Sequence, residues 1–207
     1  IATLLGTIQS TFANFGYLRK RWQNNTEEER LLGVSLTGIM DSVELNTIDG
    51  LEPRLKRLKE EAVDTNKTLA KKLGIPQSTA ITCVKPSGTV SQLVDSASGI
   101  HARHNPYYIR TVRGDNKDPL TEFMKASGIP NEPDVTKEEH TTVFSFPMMA
   151  PKGSICRTDM TAIEQLEIWK IYAQHWCEHK PSVTISVKED EWVPVGAWCW
   201  ENFEHLS

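Results

Sequence analysis

Apolar side chains recur at helical spacing from the first residue. Ile1, Leu4, Leu5, Ile8 and Phe12 share one face, which predicts a helix over 1–13 ending near Asn14 to Gly16. Thr26 followed by Glu27, Glu28 and Glu29 has the form of a capping box, predicting a second, short helix that starts there and is stopped by Gly33. The run GVSLTGIM then places Val34, Leu36 and Ile39 in an extended segment between glycines, a candidate buried strand. Over 52–73 cationic and anionic groups alternate around Leu51, Leu55, Leu58, Ala62, Leu69 and Leu73, with Gly74 and Pro76 as a stop. This predicts an amphipathic helix whose charges form a solvated face.

The next stretch is the most informative. Thr79 to Val84 is β-branched and apolar, a buried strand by composition, and it runs directly into KPSGTVSQLV. Pro86 and Gly88 break the strand, and Thr89 to Leu93 can open a helix. The order strand, tight Ser-Gly-Thr turn, helix start suits an anion, because the first N–H groups of a helix have no intrahelical acceptor. Ser87 to Ser91, with Lys85 as a nearby counter-charge, are therefore a candidate phosphate site. The spacing is not that of a Walker loop, and a Pro-Gly turn that merely reverses the chain has the same pattern.

Downstream, a loop rich in His, Arg and Tyr leads to a strand at Tyr108 to Val112. A short helix over 118–128 is opened by Asp118 and Pro119 and closed by Gly128. NEPDVTKEEH reads as polar loop, Thr141 to Met149 as a buried strand, and MAPKGSICRTD as a further loop. A helix is expected over Met160 to Cys177. Ser182 to Val187 alternates at period two, as a strand does, and EWVPVGAWCWENFEHL reads as helical despite Pro194 and Gly196. Strands and helices alternate throughout, an α/β pattern, with no repeat and no linker to mark a boundary, so residues 1–207 read as a single partial domain.

Composition narrows the function. Of 207 residues, 39% are hydrophobic and 24% charged, with mean hydropathy −0.40, and no apolar run approaches the ~20 residues of a spanning helix. The net charge of −4 divides into +2 over residues 1–103 (13 basic, 11 acidic) and −6 over 104–207 (10 basic, 16 acidic). Neither part is a polycation, which argues against direct nucleic-acid binding. Cys83, Cys156, Cys177 and Cys199 lack CxxC spacing, as suits a reduced, cytoplasmic protein. A start without Met and an end at Ser207 suggest a segment of a longer polypeptide.

Other candidate sites are weaker. His101, Arg103, His104, Arg110 and Arg113, interleaved with Tyr107 and Tyr108, could line an anionic or planar ligand or be ordinary polar loop. In HWCEH, His175 and His179 would share a helical face, but no glutamate follows His175 at the zincin position, so zinc is not expected. The tryptophans, Trp192, Trp198 and Trp200 among them, are expected in the core.

Three segments together carry a resemblance: ERLLGVSLTGIMD (29–41), TAITCVKPSGTVSQLVDSASGIHARHNPYYIRTVR (79–113) and HKPSVTISVKEDEW (179–192). Their order and content resemble the C-terminal part of the catalytic barrel of adenosylcobalamin-dependent, class II ribonucleotide reductases. The monomeric ribonucleoside-triphosphate reductases that use thioredoxin are the nearest. The resemblance implies a portion of a ten-stranded α/β barrel and thiyl-radical reduction of ribonucleoside triphosphates for DNA synthesis. It further implies deoxynucleotide effectors and no membrane. By resemblance, Ser87, Gly88, Thr89, Val90 and Ser91 hold the substrate phosphates, in a loop over 85–91. A cobalamin-contacting region runs from about 102 to 161, with Ala102, His104, Asn105, Pro106 and Tyr107 near the corrin. The family's Asn-x-Cys-x-Glu finger motif is absent, which fits a position upstream of Ile1, and the C-terminal cysteine pair would lie beyond Ser207; no catalytic residue is assigned. A reductase of another class acting on diphosphates, or a non-catalytic nucleotide-phosphate-binding module, are the alternatives.

Overall fold

The computed structural model describes residues 1–206; Ser207 lies outside the described residues. The chain divides into two compact units, one formed by 1–103 with 153–207 and the other by 104–152.

In the first unit the elements run α1 (Ala2–Gln9), α2 (Lys20–Glu29), β1 (Val34–Ser35), α3 (Val43–Asn46), α4 (Leu51–Leu73), β2 (Thr82–Cys83) and α5 (Val90–Leu93). The chain crosses to the second unit at Arg103, through β3 (Tyr107–Asp115), α6 (Pro119–Ala126), β4 (Asn131–Pro133) and β5 (Thr141–Met149). It then returns to the first as α7 (Ala162–His175) and α8 (Trp192–Glu201). The α/β pattern read from the sequence is the architecture observed.

The first unit is built on a short parallel ladder, Val34 opposite Thr82 and Ser35 opposite Cys83. Backbone bonds from Leu32 N–H to Ala80 O and from Val34 N–H to Ile81 O extend the pairing toward its start. Ala80, Ile81, Thr82 and Val84 are buried, as the apolar run predicts. The core gathers Ile39, Met40, Leu51, Leu55, Ile100, Leu166, Ile168, Trp169 and Tyr172. Three of its aromatic residues spend their polar atom on backbone: Trp176 Nε1 donates to Cys83 O at 2.7 Å, Trp169 Nε1 to Pro181 O at 2.7 Å, and Tyr172 Oη to Leu45 O at 2.8 Å. Glu178 accepts from the N–H groups of Ile81 and Thr82, fixing the chain after α7 to the start of β2.

Helix α4 matches its prediction to within a residue. It is stopped by Gly74 at φ 68°, whose N–H returns to the carbonyls of Ala70 and Lys71. Helix α1 forms too, but its apolar stripe is exposed. Thr3 and Thr7 are the buried residues, and Thr7 Oγ1 accepts from Asn66 Nδ2, which also donates to Ser78 Oγ; both bonds are 2.9 Å. A fully buried amide must be hydrogen-bonded, and that requirement turns the polar face of α1 inward.

Three expectations are corrected. Thr26 does not open a helix: α2 begins at Lys20, Thr26 lies in its last turns, and Arg30 in the left-handed conformation closes it with an N–H to Thr26 O. The true capping box is at α7, where Thr161 Oγ1 accepts from Glu164 N–H at 3.2 Å and Glu164 Oε2 accepts from Thr161 N–H at 2.7 Å. Ser182 to Val187 keeps its alternating burial but is no strand, because no neighbour among the described residues offers it a ladder. Trp198 is buried against Trp169, whereas Trp192 and Trp200 are exposed.

The second unit is a three-stranded antiparallel sheet in the order β3-β5-β4, with Tyr107 opposite Met149 and Asp115 opposite Thr141. β5 coincides with its prediction and β3 extends beyond it, while part of the expected polar loop pairs as β4 through Asn131 to Pro133. Asp118 caps α6 by accepting from Leu120 N–H, and Gly128 closes the turn at φ 74°. A Cβ at Gly114 would run into Thr121 Oγ1, which would have to shift to admit it.

Replacing Thr161 by Ala should destabilise the protein by about 1 kcal/mol in urea unfolding, because Glu164 N–H loses its hydroxyl acceptor while the backbone half of the α7 capping box remains. Thr26→Ala, which removes no cap, should change it by less than about 0.5 kcal/mol.

Candidate functional site

The Ser87–Ser91 turn sits at the C-terminal end of β2, the end of a parallel ladder at which α/β folds bind ligands. Lys85 N–H donates to Ser35 Oγ at 2.9 Å, tying the start of the turn to β1. Within it, Ser87 Oγ accepts from Ser91 N–H at 2.9 Å and Ser91 Oγ donates back to Ser87 O at 2.6 Å. Ser91 is fully buried. These two hydroxyls are internal struts. The turn therefore presents Gly88, Thr89 and Val90, all exposed, whose N–H groups meet no acceptor among the described residues.

One physical argument from the sequence does not survive. α5 is a single turn of four residues, too few aligned peptide dipoles to project much positive potential. What the loop offers an anion is a set of individual N–H donors. A Cβ on Gly88 would meet nothing within 4 Å, so the protein itself does not require glycine there.

The His/Arg residues divide between the two units. Arg103 is buried: its Nε donates to Asp41 Oδ1 at 2.9 Å, its Nη2 to Asp41 Oδ2 at 2.8 Å, and its Nη1 to Asp95 Oδ1 at 3.1 Å. Asp41 Oδ2 also accepts Ala97 N–H at 2.6 Å. Burial pushes the Asp41 carboxyl up, but the Arg103 and Ala97 hydrogen bonds outweigh it and hold the group below its ordinary 3.8. His101 is clamped between Ser98 O, 2.8 Å from its Nδ1, and Thr184 N–H, 3.1 Å from its Nε2. An N–H can only donate, so Nε2 accepts and the proton is assigned to Nδ1.

In the second unit Arg113 Nε donates to Asp134 Oδ2 at 2.7 Å, and Arg110 lies 5.6 Å over the Tyr108 ring, which His104 meets edge-on. Tyr107, Pro106 and His104 are exposed and Asn105 half-buried, while Ala102 is half-buried in the first unit. The helical pairing of His175 and His179 fails because α7 ends at His175; among the described residues no group of three or more His, Cys, Asp or Glu is placed to hold a metal ion. All four cysteines are free thiols, and burial, the largest cause, raises Cys177 to about 12.

Sequence reasoning missed Asp41, Ser98 and Gly99. Gly99, at φ +56°, packs so closely on Val84 that a Cβ would lie 3.1 Å from Cγ1. The Ser-Gly pair in SASGIH is the signal that could have found it, since a glycine beside the turn marks a left-handed residue or a close approach.

No family model matches the chain. It is 30% identical over 172 residues to an adenosylcobalamin-dependent ribonucleoside-triphosphate reductase of Euglena gracilis, covering 80% of this chain and 23% of that protein. It is 26% identical over 216 residues to one of Levilactobacillus brevis, covering 89% and 28%. The chain is thus similar to one stretch of adenosylcobalamin-dependent ribonucleoside-triphosphate reductases. It spans about a quarter of the length of these relatives. A crystal structure of a B12-dependent, class II ribonucleotide reductase superposes with TM-score 0.75 at 20% identity, over 98% of this chain and 33% of the other. The fold is thus that of the matching third of a class II reductase. No helix among the described residues is long and apolar enough to cross a membrane.

Asp41 and Glu178 are both held below their ordinary values of 3.8 and 4.5, so the stability each supplies is complete above those values and is lost as pH falls through the depressed folded-state values. The urea midpoint should be flat from neutral pH to about pH 5 and fall below about pH 4. Arg103→Leu should cost about 3 kcal/mol at neutral pH, because it leaves the half-buried Asp41 carboxylate without its partner.

Proposed function

We propose that the chain is the substrate-phosphate and cobalamin-contacting part of the catalytic barrel domain of an adenosylcobalamin-dependent ribonucleotide reductase. In this reading residues 1–207 are one stretch of that barrel, and the complete protein reduces ribonucleoside triphosphates to deoxyribonucleoside triphosphates in the cytoplasm. Thioredoxin is its reductant and deoxynucleotides its effectors. The observation that carries the reading is the turn at the end of β2: three exposed N–H groups, on a backbone fixed by the hydroxyls of Ser87 and Ser91, in a chain similar to those reductases.

The division of labour within the turn follows from its bonds. Gly88, Thr89 and Val90 donate their N–H groups to phosphate oxygens, with the exposed Thr89 hydroxyl beside them. Ser87 and Ser91 hold the curvature, and Lys85 balances charge. Charge-assisted bonds to phosphate are stronger than neutral ones, so three donors make an effective anchor. The anchor holds the nucleotide for chemistry performed by residues outside this chain.

Cobalamin contact is supported by the chemistry of the residues at the start of the second unit. Exposed Tyr107 and Pro106 suit the hydrocarbon rim of a flat macrocycle, and His104 and Asn105 carry polar groups suited to its amide arms. Ala102 directly precedes this stretch. When bound, the cofactor supplies radical chemistry through its weak cobalt–carbon bond, while the protein supplies binding and orientation. The residues named here bind; none of them is assigned a proton or a radical.

Expression of the complete gene product and assay with ATP and dithiol reductant should give dATP only when adenosylcobalamin is added. Reduction of diphosphates independent of the cofactor would favour a reductase of another class, and no reduction of any nucleotide would favour a binding module. Gly88→Val should raise KM for the nucleotide at least about tenfold while shifting the urea midpoint little, because the added side chain meets open space in the protein but obstructs approach of phosphate to the backbone.

A further inference from the structure

The phosphate turn is not self-supporting. Ser87 N–H points away from the exposed donors and is taken by Ser98 Oγ at 2.7 Å. Ser98 is held by its own carbonyl, which accepts both the backbone N–H of His101 at 2.9 Å and the His101 Nδ1 proton at 2.8 Å. His101 is held in turn by Thr184 N–H on Nε2 at 3.1 Å, and the Thr184 carbonyl accepts from Gln165 Nε2 of α7 at 3.3 Å. Beside Ser98, Gly99 lets this segment approach Pro86 and Val84, where a Cβ would crowd Val84 Cγ1 at 3.1 Å. Gly99 N–H donates to Thr37 Oγ1 at 3.3 Å, and Thr37 Oγ1 donates to Ala97 O at 2.9 Å.

From this chain of bonds we infer that Ser98 and His101 are positioning residues for nucleotide binding: Ser98 removes Ser87 N–H from the set of phosphate donors, and His101 locks Ser98 in that position. The inference rests on the phosphate reading of the turn and deepens it. Two consequences follow. The first donor available to phosphate is Gly88 N–H, which sets where the terminal phosphate stops along the turn. The backbone is also prepaid for binding, because its first peptide cannot rotate toward solvent when the site is empty, and preorganisation of this kind is expressed as affinity. Neither side chain touches the ligand. His101 acts only as the neutral tautomer, since a proton on Nε2 would oppose Thr184 N–H with a second donor.

Other hydroxyls nearby do not share this role. Ser91 and Ser87 bond to each other within the turn, and Ser35 reaches Lys85 N–H before it. Only Ser98 comes from a different segment to fix the turn's first N–H.

The test uses the complete protein and measures the Kd of ATP and of inorganic tripolyphosphate by calorimetry, with a urea midpoint for every variant. Wild type should bind both and Gly88→Val should bind neither; if wild type and Gly88→Val bind alike, the phosphate reading of the turn is wrong and the inference goes with it. Where that pair behaves as expected, Ser98→Ala should weaken both ligands about three- to tenfold, the worth of one prepaid hydrogen bond. Ser98→Thr, which keeps the hydroxyl, should bind within about twofold of wild type. His101→Phe should weaken binding like Ser98→Ala, and His101→Asn, which can still donate to Ser98 O, should recover part of it. Ser98→Ala binding as wild type does would overturn the inference. Losses in Ser98→Ala and Ser98→Thr that are equal and track the urea midpoints would overturn it too, since they would mark a merely structural serine.

Discussion

The fork between Arg103 and Asp41 is the interaction on which the first unit depends. A guanidinium with only 3% of its side chain exposed grips both oxygens of a carboxylate 62 residues away. One of those oxygens also accepts Ala97 N–H, and Arg103 itself reaches Asp95. A charge pair this buried adds little net stability over an apolar replacement of the same shape, but it is very costly to break on one side only. Its value is geometric. It fixes the turn after β1 against the segment 95–103, which carries the groups that brace the Ser87–Ser91 turn.

From that fixed point the site is assembled in layers. Thr37 and Gly99 draw the 96–101 segment against Pro86, Ser98 takes the first N–H of the loop, and Ser87 and Ser91 close it on themselves. What remains is a short arc of unspent backbone donors at the end of a parallel strand. Such an arc would read charge and shape and not a base, in keeping with the phosphate role proposed for it. Peptide N–H groups have the further advantage that they cost no side-chain entropy to order.

The sequence showed its long periodic elements plainly. The 23 residues of α4 with its glycine stop, and the nine mostly apolar residues of β5, are each long enough for a single reading. Local signals misled where two positions share one chemistry: Thr26 with Glu29 and Thr161 with Glu164 are the same motif, and only the second has an apolar helix behind it to cap. Ser182 to Val187 has the right alternation but no partner strand, and a strand is a property of two segments. The stripe of α1 is legible, yet its orientation is decided by Asn66, 59 residues away. In the candidate site, KPSGTVS was visible as a tight turn after a strand, and the bonds of Ser98 and Asp41 were not, because each reaches a segment that the local pattern does not link to it.

The central claim is that Gly88, Thr89 and Val90 N–H groups bind the phosphates of a nucleotide while Ser87 N–H stays with Ser98. Hydrogen–deuterium exchange of the complete protein, resolved to single amides across 85–94 with and without ATP, addresses it directly. The account expects slow exchange at Ser87 in both states and a marked slowing at Gly88, Thr89 and Val90 only when ATP is present. Unchanged exchange at those three amides with ATP bound would contradict it.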